Sequence, residues 1–185
     1  MTRRKGAGVG FIQGYDSETL QEIVDRPGVY ERLAEVRRQR SFPAQLEQVW
    51  LLKVLGEYDE ALQISEHTVR LARMSGTRKD LLHARVLHAS VNQVRGAHAR
   101  AEAELTSCIE EAEGQGWPRI TALAHSHRGK TRYDAGDYEG ARGDFKRELF
   151  LRQEMGADDD QLEQTMTFIE AAERKRSTNR GLFAS

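Results

Sequence analysis

The sequence predicts an all-α solenoid of helical hairpins, and three observations carry that reading. A turn pattern recurs at a constant interval: Gly56-Glu57-Tyr58-Asp59-Glu60-Ala61, then Gly96-Ala97-His98-Ala99-Arg100-Ala101, then Gly136-Asp137-Tyr138-Glu139-Gly140-Ala141, each 40 residues after the last. A fixed period of this size marks a stack of like supersecondary units. Within each pattern the glycine can close one helix with positive φ, and Tyr138 and Ala141, three residues apart, share one face of the next. Finally, no stretch alternates apolar and polar residues as a strand would.

Taken in order, residues 1–15 form a glycine-rich arm with the basic cluster Arg3-Arg4-Lys5, expected to be flexible. Residues 16–42 read as an N-terminal helical cap. Ser17-Glu18 opens a short helix with Leu20, Ile23 and Val24, Pro27-Gly28 ends it, and a second helix over about 29–40 carries Val29, Leu33 and Val36. Pro43 suits a first helical turn. From there helices are expected at about 43–55 and 57–75 (repeat 1, residues 43–78), 79–95 and 97–114 (repeat 2, 79–117), and 118–135 and 137–155 (repeat 3, 118–157). A capping helix over 158–176 follows three aspartates, a favourable charge at a helix start, and carries Leu162, Met166 and Ile169. Residues 177–185 are expected to be a flexible tail.

Composition narrows the function classes. The chain has 185 residues, 38% hydrophobic and 31% charged, enough for one domain or one short repeat array with thin buried layers. A net charge of −1 argues against a globally basic nucleic-acid binder. Cys108 is the single cysteine, so no intrachain disulfide can form, which points to the cytoplasm. No apolar run approaches the roughly 20 residues that span a bilayer, and the basic start lacks the apolar core of a signal peptide.

The landmarks resemble the tetratricopeptide repeat. Repeat 3 matches best, with Gly129, Gly136, Tyr138, Ala141 and Phe145 at the family's spacing; repeat 1 keeps Gly56, Tyr58 and Ala61, and repeat 2 keeps Gly96, Ala101 and Leu105. The period of 40 exceeds the usual ~34 and resembles the long repeats of kinesin light chains and bacterial peptide-sensing regulators. The resemblance implies a right-handed superhelix, first helices lining a concave groove, and binding of peptides or protein segments without catalysis. The sequence departs from the family where first helices normally place apolar or small residues. Gln45, Arg85 and His125 stand eleven positions before the turn glycine, Gln48, His88 and Arg128 eight before, and Leu52, Asn92 and Arg132 four before. Glu148 occupies a usual alanine position of the second helix.

Those departures form the candidate site. Arg85, His88 and Asn92 make one helical stripe, and His125, Arg128 and Arg132 repeat it one period later, so the two should stack in columns. Arginine suits bidentate recognition of carboxylates. His127, Lys130 and Tyr133 join them at groove positions of the family. The competing reading is internal pairing, with Arg128 or Arg132 meeting Glu148. Trp50 reads either as a peptide anchor or as packing under the N-terminal cap, and Trp117 as a wedge between repeats. Cys108 reads as a small buried hydrophobe. The histidines lack metal-ligand spacing, and Asp158-Asp159-Asp160 lacks the remaining ligands of a calcium loop. No metal, cofactor or membrane is expected, and no acid, base and nucleophile set marks an enzyme.

The expected function is an interaction module, binding an extended acidic or carboxylate-bearing protein or peptide segment in the concave groove. Two alternatives remain open. One is a homo-oligomeric scaffold, such as a homodimer, without an open groove. The other is a regulator associated with nucleic acid through Arg3, Arg4, Lys5, Arg37, Arg38 and Arg40, although the segment before the repeats is short for a DNA-binding domain plus linker.

Overall fold

The computed structural model describes residues 10–182. Helix takes 78% of them, in eight helices that pack sequentially on their neighbours as an all-α helical-repeat array. The hairpins pair α2 (Phe42–Leu55) with α3 (Tyr58–Ser75), α4 (Arg78–Val94) with α5 (His98–Gly114), and α6 (Pro118–Asp134) with α7 (Tyr138–Glu154); α1 (Arg26–Val36) and α8 (Asp159–Leu182) close the two ends. Glu57, Ala97 and Asp137 are the N-cap residues of α3, α5 and α7, as the repeated turn predicts.

The turns share one closure. Gly56, Gly96 and Gly136 adopt φ of 85°, 81° and 83°. In each, the residue after the glycine donates its N–H to a carbonyl five residues back: Glu57 to Leu52, Ala97 to Asn92, Asp137 to Arg132. This is the Schellman closure, which satisfies carbonyls that the helix end leaves bare. Beyond each turn, Ala61, Ala101 and Ala141 are fully buried where helices meet. Three apolar clusters run along the array. The first joins α1–α3 and part of α4, the second α4–α6, and the third α6–α8. Cys108 lies in the second, with its thiol pushed up to about 12, chiefly by burial. Trp117 packs against the same cluster, with the Lys79 ammonium 5.3 Å from its ring centre.

The array curves. α2 packs on α4 and α4 on α6, whereas α3 and α5 are held chiefly by first helices. The first helices therefore stand closer together and form the inner, concave side.

Both ends depart from the sequence expectation. Before α1 stands an antiparallel β-hairpin, β1 (Ile12–Tyr15) with β2 (Glu22–Val24), where an arm and a short helix were expected. Its turn is built by Asp16, whose carboxylate accepts the Glu18 N–H at 3.0 Å and the Thr19 N–H at 2.7 Å. Leu20 is the one non-glycine residue with positive φ among those described, at 57°. Its side chain compensates by burying itself among Tyr133, Phe145 and Phe168. Pro27-Gly28 opens α1 rather than ending a helix, and α1 stops at Val36. At the other end α8 runs to Leu182 through the expected tail. Its buried face is Thr165, Phe168 and Ala172 rather than the predicted Leu162, Met166 and Ile169. Phe168 sets that rotation, packing 5.4 Å from the Phe145 ring and 5.1 Å from the Tyr15 ring. Residues 1–9 and 183–185, with the Arg3-Arg4-Lys5 cluster, lie outside the described residues.

Gly129 tests the packing of the third hairpin. A Cβ there would lie 2.5 Å from the Phe145 ring, which is itself fully buried. Gly129→Ala should lower the melting temperature. The overpacking costs about 1–3 kcal/mol, against a gain in helix propensity of at most ~1 kcal/mol. An unchanged or raised melting temperature would contradict this packing.

Candidate functional site

The two polar stripes face their partner helices. On α4, Arg85 meets Glu111 at 3.4 Å, Glu104 at 3.7 Å and the Ser107 hydroxyl at 3.2 Å, all on α5. His88 Nδ1 lies 2.8 Å from Glu104, and Asn92 is 3.3 Å from His88 Nε2. On α6, Asp144 of α7 gathers the whole stripe. His125 Nδ1 approaches it at 2.8 Å, Arg128 donates twice at 3.0 and 2.7 Å, and Arg132 donates at 3.0 Å. Arg132 also reaches Glu102, and Arg128 the Thr106 hydroxyl, both on α5. Burial pushes the Asp144 carboxyl up, but its bonds to His125 and Arg128 outweigh this and hold it below the ordinary carboxylate range. Arg85, His88, Asn92, His125, Arg128 and Arg132 thus take the internal pairing that the sequence left open. Their partners are Glu104, Glu111, Glu102 and Asp144 rather than Glu148. Glu148 is fully buried and pairs with Arg152, one turn along its own helix, at 2.6 Å.

The sequence carried a signal for this seam. Glu104 and Asp144 are themselves one period apart, and each stands 16 residues after a partner, His88 and Arg128 respectively. Acid and base columns with the same interval are a pair of complementary helix faces.

His127 and Lys130 line a channel that the β-hairpin partly occupies, and Tyr133 is buried beside the hairpin in the third apolar cluster. The Glu22 carboxylate of β2 lies 3.5 Å from the Lys53 ammonium of α2 and 3.4 Å from the Lys130 ammonium of α6. Lys53 and Lys130 are 6% and 7% exposed, so water does little to screen this cluster. Burial pushes the Glu22 carboxyl up, yet the two ammoniums more than offset it and hold the group well below its usual range. Lys53 is pushed down by burial, with Glu22 opposing. Burial, aided by Lys53 and Lys130, pushes His127 far down, so its ring is neutral. The Lys130 ammonium also sits 5.2 Å from the Tyr15 ring centre and 4.9 Å from that of Phe168. At the hairpin's turn, Tyr133 donates to the Glu18 carbonyl at 3.1 Å, and Lys175 pairs with the Glu18 carboxylate. Lys53 was not among the residues expected at the site. It reads as an apolar-face lysine until the hairpin is seen to bring it a carboxylate.

The rest of the channel is a cavity of about 1000 Å³, bounded by β1, α2, α4, α6 and α8. Leu46, Trp50, Leu87 and Leu123 form its apolar wall, and α8 supplies Asp160, Gln161, Glu163 and Gln164. Trp50 packs against the first apolar cluster, which α1 joins, and also lines the cavity. Among the described residues no group of three or more His, Cys, Asp or Glu could hold a metal ion, and no helix is long and apolar enough to cross a membrane. Compared with known proteins, the sequence matches no family model and no curated protein.

Two variants probe the two ionic clusters. Glu22→Gln leaves buried lysine charge without its counterion and should lower the unfolding free energy by about 3–5 kcal/mol. Hydrogen exchange should accelerate first in β1 and β2, and adding Lys53→Met should recover part of the loss. The pH dependence has a definite sign. The folded-state pKa of Glu22 is depressed, so its contribution is complete above about 4.5 and is lost as pH falls below that value. His127 acts in the same direction from pH 6.5 downward, because the fold resists its protonation. Asp144→Asn should cost about 3 kcal/mol in urea unfolding, the low end for a broken buried pair, since Arg132 still reaches water. A neutral result would mean that the seam contributes nothing to stability.

Proposed function

We propose that the protein is a non-catalytic interaction module of tetratricopeptide type, whose concave face holds an extended protein segment. The observation that carries this reading is the seating of the chain's own β-hairpin. An extended backbone lies against α2, α6 and α8, anchored by the Glu22 carboxylate between Lys53 and Lys130. A face that holds one extended segment by a buried charge and an aromatic contact has the chemistry to hold another. The cavity beside the hairpin supplies the space, and its combination of apolar wall and polar edge is typical of binding clefts.

The partner's charge follows from what is left unpaired. The arginine columns that suggested an acidic partner are neutralised by Glu104, Glu111, Glu102 and Asp144. The reading retained is therefore an extended segment received beside the hairpin, with apolar side chains against Trp50, Leu87 and Leu123.

Selection of random peptides displayed on phage against the immobilised protein tests it. The expected result is a recurrent consensus that is lost with Leu123→Arg, a variant whose circular dichroism should match the parent because Leu123 is only partly buried. Peptides enriched equally on parent and variant, or no enrichment at all, would overturn the concave-face reading.

A further inference from the structure

We propose that β1 is the docking edge for a partner strand, and that an extended segment with alternating apolar and basic side chains adds to it inside the concave cavity. This rests on the interaction-module reading and specifies how that face receives its segment.

The sheet has two strands among the described residues, so β1 is paired with β2 on one side and with no strand on the other. All four residues of β1 line the cavity, whereas β2 contributes only Glu22. The unpaired edge of β1 is therefore the one presented to the open space. Proteins usually blunt such an edge with charge or proline. β1 reads Ile-Gln-Gly-Tyr and contains neither, and only the bulge between Ile12 and Gly14 interrupts its regularity. Its residues are half-buried, Gln13 excepted, which is exposed. A third strand would lie about 4.8 Å away, and a volume of about 1000 Å³ leaves room for a short extended segment.

The partner's side chains follow from the walls. Successive residues of a strand point to opposite sides, and the apolar wall of Leu46, Trp50, Leu87 and Leu123 suits one set. For the other set, the unpaired charge on the lining is negative. Lys130 and Arg152 are held by Glu22 and Glu148, while Asp160 and Glu163 on α8 are exposed and meet no cation among the described residues. An independent feature also points to a ligand: His127, 7% exposed, faces the cavity with its Nδ1 buried and without a hydrogen-bond partner.

The test uses the full chain and a fluorescein-labelled peptide of alternating valine and lysine, read by anisotropy and by hydrogen exchange. Two analogues are N-methylated at the valine amides or at the lysine amides, so that one of them blocks the pairing edge. The expected result is binding of the parent peptide, slowed exchange at Ile12–Tyr15, and one methylated analogue weaker by roughly tenfold or more. Asp160→Asn with Glu163→Gln should weaken binding several-fold and flatten its salt dependence. Equal binding of the parent and both analogues, or unchanged exchange in β1, overturns strand addition. If protection appears on α2, α4 and α6 alone, the concave-face reading survives and this proposal falls. Failure of the peptide to bind at millimolar concentration, or tighter binding of a valine–glutamate peptide, overturns the assigned partner chemistry. The concave-face reading falls with it only if the phage selection also fails.

Discussion

The buried carboxylate of Glu22 joins the N-terminal hairpin to the helical array. It stands between the ammoniums of Lys53 on α2 and Lys130 on α6, two helices that belong to different hairpins and are not neighbours in the chain. None of the three could be left alone at that depth, since an unpaired buried charge costs several kcal/mol. The cluster therefore forces the hairpin into the channel, and the other hairpin contacts follow. Tyr15 reaches Phe168, Leu20 enters the third apolar cluster, and Tyr133 bonds the Glu18 carbonyl. The rotation of α8 follows in turn, because Phe168 must face both Phe145 and Tyr15.

The same electrostatic logic runs through the second and third hairpins. Repeat 1 closes its seam with apolar side chains, but α4 meets α5 and α6 meets α7 through complementary charge columns. Asp144 serves three side chains at once, His125, Arg128 and Arg132, which its two acceptor oxygens allow. Such a seam specifies register more sharply than leucine would, because sliding by one turn strands several charges. It also removes those side chains from the concave face, so the exposed charge lining the cavity there is that of Asp158, Asp160 and Glu163.

The concave channel is therefore a divided space. One part is filled by the chain's own hairpin and the other is open, with the free edge of β1 as the border between them. The Glu22 ion cluster ties β2, and through it β1, to α2 and α6.

By itself the sequence determined the helical array. The 40-residue interval of Gly56, Gly96 and Gly136 is a local signal, because a positive-φ glycine and a small residue five positions on dictate a helix end and a close packing site wherever they occur. The buried Cys108 and the boundaries of α2–α7 were legible for the same reason, since periodicity of 3.6 needs no distant partner. Of the residues named from the sequence, His127 and Lys130 line the cavity, while Tyr133 packs in the third apolar cluster and bonds the hairpin turn. Tertiary structure alone decided the rest. The hairpin's strands have four and three residues, too short for alternation to register. Their stability comes from Lys53, Lys130, Phe168 and Tyr133, all distant in the chain. The destination of Arg85 and Arg128 was likewise a matter of which acids the folded helices bring within 4 Å, because a charged side chain carries no local mark of whether it will meet water, a partner or its own protein.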